Sequence, residues 1–80
     1  MTDKRKWTHK VLKRQRGGDG KWFRYPAAAT FPSLEAARKY ASEFAAEQRG
    51  VAGTCIDVET RAGRCVSTID TTTGKATDWQ

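Results

Sequence analysis

The stretch KVLKRQRGGDGKWFRY, Lys10 to Tyr25, decides the fold. Its glycine-rich run ending in lysine reads either as a phosphate cradle or as the tip of a β-hairpin. A phosphate loop requires G-x-x-x-x-G-K-[ST] between a hydrophobic strand and a helix, so that backbone amides and a helix N-terminus converge on the anion. Here Lys21 is followed by Trp22, and the next segment alternates like a strand. Asp-Gly and Gly-Gly supply the positive φ angles of tight turns, so RGGDGK is read as a hairpin tip.

Both arms of that hairpin carry the side-chain period of two that marks strands. Upstream, KWTHKVLKR (Lys6 to Arg14) sets Trp7, His9 and Val11 against Thr8, Lys10, Leu12 and Arg14. Downstream, KWFRYPAAATF sets Phe23, Tyr25, Ala27, Ala29 and Phe31 against Trp22, Arg24 and Pro26. Proline cannot donate to a ladder, so the second arm bends at Pro26 or lies at an edge. Phe23 and Tyr25 are expected on the helix-packed side; Trp22 falls either on the open face or in the core.

From Ser33 to Arg49 the pattern turns helical, with Leu34, Ala37, Ala41, Phe44 and Ala45 on one stripe. Ser33 is a suitable N-cap, Glu35 complements the helix start, and Gly50 is placed to end it. A second hairpin follows, TCIDVET, RAG and RCVSTIDT. With Ala62 and Gly63 as its loop, Thr60 opposes Cys65, Val58 opposes Ser67 and Ile56 opposes Ile69. Ile56, Val58, Cys65 and Ile69 then face the helix and Cys55 the other side, which argues against a Cys55–Cys65 disulfide. TTGK is a further turn signal, and ATDW is placed to add a short last strand. The expected fold is one α+β domain over residues 1–80: an antiparallel sheet of four to five strands, order β-β-α-β-β(-β), with one helix on one face.

Eighty residues with a formal charge of +6 suit a small binding domain better than an enzyme with a buried site. No apolar run has membrane-spanning length and no signal segment is evident, so a cytoplasmic location and no membrane partner are expected. Two cysteines and His9 as the lone histidine favour reduced structural thiols over a metal site, and no cofactor or small-molecule substrate is expected. Residues 1–24 hold nine Lys and Arg against Asp3 and Asp19, a balance of +7; the remainder holds six bases and seven acids. Such asymmetry points to a polyanion or an acidic protein surface.

Catalysis finds no nucleophile beside a base, and Asp57 and Glu59 are expected to form a surface ion pair with Arg64 across the second hairpin. Recognition has more to work with. Trp7, Trp22, Phe23 and Tyr25 are interleaved with Lys6, Lys10, Lys13, Arg14, Lys21 and Arg24, the residue types that neutralise phosphates, stack on bases and form interface hot spots.

The segments SLEAARKYAS (Ser33 to Ser42), GTCIDVET (Gly53 to Thr60) and the closing GKATDWQ resemble, in order and spacing, a small phage-encoded anti-CRISPR family that acts on type I surveillance complexes. The resemblance covers roughly the last fifty residues. It implies a sheet crossed by a helix and occupancy of the RNA-guided complex of type I-C or I-F, through its backbone subunits, its guide RNA or its DNA channel, so that target DNA cannot pair. It further implies contact roles for Arg38, Lys39 and Lys75, and non-specific contacts with double-stranded DNA. The alternative is a basic β-sheet DNA-binding module resembling the arm-binding domain of phage integrases.

Overall fold

Alternating apolar positions build a sheet whose centre is Thr54–Thr60, and a computed structural model describes residues 7–79 of it. In chain order the elements are β1 (His9–Arg16), β2 (Trp22–Arg24), β3 (Ala29–Phe31), α1 (Leu34–Glu47), β4 (Thr54–Thr60), β5 (Cys65–Asp70) and β6 (Ala76–Asp78). All pairings are antiparallel and the strand order is β2-β1-β4-β5-β6, with β3 beside β2 on the same edge of β1. The architecture is the expected α+β sheet with one helix. The sixth strand arises because the second arm is split around Pro26, where the amides of Tyr25 and Ala28 still reach the carbonyls of Lys13 and Val11.

The GGDGK run closes the β1–β2 hairpin. Gly17 N–H donates to the Lys21 carbonyl at 2.8 Å, Asp19 accepts from the Lys21 amide, and Gly20 takes a φ of 83° that only glycine adopts cheaply. The run therefore leads into a strand rather than into the helix a phosphate loop needs.

Helix α1 begins at Ser33, whose side chain accepts from the Ala36 amide, and the chain leaves it through Gly50 at positive φ. Its stripe buries Ala37, Ala41 and Ala45 against Val11, Ile56, Val58 and Ile69, with Leu34, Phe44, Tyr40 and Phe31 closing the margin. The helix contacts β3, β1, β4 and β5 but does not reach β2. That explains a departure from expectation: Phe23 and Tyr25 share the helix side with Gln15 and Lys13 yet lie beyond the helix, 58% and 37% exposed, stacked edge-on against each other. Among the described residues no helix is long and apolar enough to cross a membrane.

The second hairpin corrects the expected register. Gly63, at φ 99°, makes the loop three residues long: Thr60 N–H donates to the Arg64 carbonyl, and the Arg64 amide to the Thr60 hydroxyl. Three-residue loops with a left-handed glycine shift the pairing by one. Glu59 therefore opposes Cys65, and a bulge restores Val58 opposite Ser67 and Ile56 opposite Ile69. Cys65 turns to the open face and Val66 takes its place against the core. Both cysteines are free, although they share a face. They sit four β4 positions apart in register, about 13 Å, well beyond disulfide reach.

Candidate binding surface on the open face of the sheet

Cross-strand register fixes which side chains the uncovered face presents. Lys10 opposes Glu59, Leu12 opposes Asp57 and Arg14 opposes Cys55 between β1 and β4; Asp57 in turn opposes Thr68 on β5. Arg14 and Arg16 oppose Arg24 and Trp22 across the β1–β2 pair. Lys10, Leu12, Arg14, Arg16, Trp22 and Arg24 consequently lie on one face.

Two carboxylates lie beneath these bases. Asp57 and Glu59 are only 3% and 4% exposed, and neither pairs with Arg64 as the sequence suggested. Position in the sheet is the reason: β4 is central, so its side chains lie beside β1, whereas Arg64 sits in the turn. Asp57 accepts from Arg14 Nε at 2.9 Å and from the Thr68 hydroxyl at 2.9 Å. Glu59 accepts from Arg24 Nη2 at 2.6 Å through both oxygens, and Lys10 Nζ lies 3.7 Å away. Arg24 reaches over β1 to do so and braces the edge strand to the centre. Burial opposes the charge on Arg14, but its hydrogen bond and attraction to Asp57 prevail and hold its pKa above the ordinary value. Burial pushes the Cys55 thiol up; Arg14 pulls it down, and Asp70 and Asp57 add to the rise. Cys55 is therefore less acidic than an ordinary thiol.

A polar relay crosses the sheet between two tryptophans. The Arg14 guanidinium lies 4.5 Å and that of Arg16 5.9 Å from the Trp22 ring. From Arg14 the relay continues to Asp57 and Thr68, whose hydroxyl accepts from Trp79 Nε1 at 3.0 Å. Trp22 is 44% exposed and Trp79 52%. Arg14, Asp57, Cys65, Thr68 and Trp79 line a shallow recess of about 430 Å³ between them. Trp79 had no part in the sequence-based surface, since its place over Thr68 depends on β6 pairing with β5.

The other sequence-derived contact residues do not join this face. Lys13 points to the helix side and lies 4.4 Å from the Tyr25 ring. Lys21 is exposed in the hairpin tip and Lys75 in the β5–β6 turn. Arg38 and Lys39 are exposed on α1, where Arg38 pairs with Asp78 of β6 at 3.0 Å. A groove of about 550 Å³ runs between α1 and the β5–β6 edge, open because Ala41, Ala45 and Ala46 are short. Among the described residues no three His, Cys, Asp or Glu side chains gather as a metal site. Lys6 lies outside the described residues.

The width of the sheet bears on duplex DNA. Five strands abreast span about 19 Å between outer axes, whereas the major groove is about 12 Å wide and admits two strands. Compared with protein-family models, curated proteins and solved structures, the chain matches none.

Proposed function

We propose that this protein is a non-catalytic inhibitor that binds a type I CRISPR surveillance complex and blocks target-DNA pairing by occupancy. The observation that carries the proposal is the ordered resemblance of Ser33 to Ser42, Gly53 to Thr60 and Gly74 to Gln80 to the type I anti-CRISPR family. Those segments contribute the first half of α1, the central strand β4 and the edge strand β6. Arg38 and Lys39, the contact pair that the resemblance implies, are solvent-exposed on α1, and Lys75 is exposed beside β6. The basic and aromatic residues of the first hairpin add contact area of the type enriched in interface hot spots.

Occupancy has a simple signature. Titrating the protein into a fixed amount of assembled type I-C or I-F complex should abolish target-DNA binding with an endpoint at a small whole-number ratio, and the two should co-elute. Arg38→Glu and Lys39→Glu should weaken inhibition while lowering the melting temperature by no more than about 5 °C, because the exposed Arg38–Asp78 pair contributes under about 1 kcal/mol. Complexes that bind target DNA normally in excess protein would sink the proposal. Tight binding to duplex DNA alone would favour the DNA-binding module instead.

A further inference from the structure

We infer that the open face of the sheet, between Trp22 and Trp79, is a binding site for single-stranded nucleic acid. Charge on this face is layered. The acids, Asp57 and Glu59, are buried, and their oxygens are engaged by Arg14, Thr68, Arg24 and Lys10. The bases above them retain unused donors: Arg24 serves both Glu59 oxygens through Nη2 alone, and its side chain is 54% exposed. Arg16, opposite Trp22 across the β1–β2 pair, forms no ion pair among the described residues. Among the described residues Asp70 is the one further carboxylate on this face, opposite Cys55 near the sheet's end. An approaching ligand therefore meets cationic donors and two aromatic rings, with the balancing negative charge beneath them.

The tryptophans decide between polyanions. Their exposed rings offer stacking surfaces that unpaired bases can use and paired bases cannot, because duplex bases already stack on their neighbours. Trp22 on β2 and Trp79 just after β6 approach from opposite edges of the sheet and are joined through Arg14, Asp57 and Thr68, so a single strand that stacks on both rings runs across the sheet over these residues. Both rings are positioned before any ligand arrives, Trp22 by Arg14 and Trp79 by its bond to Thr68. The sheet is too broad for the major groove, and an acidic peptide would have no use for two separated stacking platforms.

The inference is independent of the CRISPR reading, and its test uses the purified protein alone. Fluorescence anisotropy with labelled oligo(dT) and oligo(U) of about twelve nucleotides, in about 50 mM salt, should show saturable binding that quenches tryptophan emission. Phosphate contacts from Arg16 and Arg24 set a slope of log K against log salt near −1.4, about 0.7 per contact. Trp22→Ala and Trp79→Ala should each weaken binding about tenfold, whereas Trp22→Phe and Trp79→Phe should retain most of it. Arg49→Ala, at an exposed base just beyond the helix, should bind as wild type. Circular dichroism confirms that each variant is folded, and the phenylalanine variants carry the test if an alanine variant is not. The inference is overturned by no binding at low salt, by equal or tighter binding to the matching duplex or to poly-glutamate, or by folded alanine variants with wild-type affinity. Inhibition of a surveillance complex without oligonucleotide binding would remove this inference and leave the proposed function standing; the converse would do the opposite.

Discussion

Replacing Glu59 by glutamine changes one charge and almost no volume, yet it should affect fold and binding in opposite directions. Glu59 is 4% exposed and holds Arg24 at 2.6 Å and Lys10 at 3.7 Å. Glutamine can accept from Arg24 through its oxygen, but its amide N–H groups then confront a second cation with no acceptor to offer. A hydrogen bond to a charged group contributes about 1.5–3 kcal/mol. Because Arg24 is half exposed and can rehydrate, the loss should be near the lower part of that range, about 2 kcal/mol. For a domain of this size that lowers the melting temperature by about 10 °C. The same change frees Lys10 in addition to Arg24, which already contacts phosphate, so the salt slope for a single strand should steepen by about 0.7, and affinity at low salt should rise. Thermal and urea denaturation followed by circular dichroism give the first quantity, and anisotropy titrations at several salt concentrations the second. A variant as stable as wild type would show that Glu59 does not brace β2 to β4. Reduced stability with an unchanged slope would show that Lys10 does not face the ligand.

Thiol titration of protein unfolded without reductant should find two free thiols per chain, since the register keeps Cys55 and Cys65 well apart; an intramolecular disulfide would refute that register. Cys55 should make the fold sensitive to alkali. Its folded pKa stands above the ordinary 9.0, so its contribution is complete below that value and is lost as pH rises, the unfolded thiol ionising first. Urea midpoints should therefore fall less between about pH 8 and about pH 10 in Cys55→Ala than in wild type, and equal falls would refute the shift. Ile56→Ala, at a fully buried position of the central strand, should cost about 3 kcal/mol in urea unfolding, and a cost under about 1 kcal/mol would mean that the helix does not pack there.

Local chemistry made much of this molecule legible from its sequence. Period-two alternation in the two hairpins and a helical stripe from Leu34 to Ala45 depend on neighbours within a few residues, so they survive in a linear reading. The glycine run, the Ser33 cap and the bend at Pro26 are local for the same reason. The sorting of Trp22 and Arg24 from Phe23 and Tyr25 also followed from alternation. Sidedness did not fix burial, because the helix stops short of β2 and leaves the latter two exposed.

What only tertiary structure decided was which distant residues meet. A third loop residue, made possible by Gly63 at positive φ, moved Cys65 to the open face, since one residue of register exchanges the sides of a strand. Asp57 and Glu59 found Arg14 and Lys10 because β4 lies against β1, a pairing between residues 39 to 51 apart in sequence, and Arg24 reaches Glu59 from β2 across β1. Trp79 joined the open face because β6 pairs with β5, which brings the last described residue over Thr68. Alternation assigns each side chain to one of two sides; only the order of strands in the sheet determines what lies beside it there.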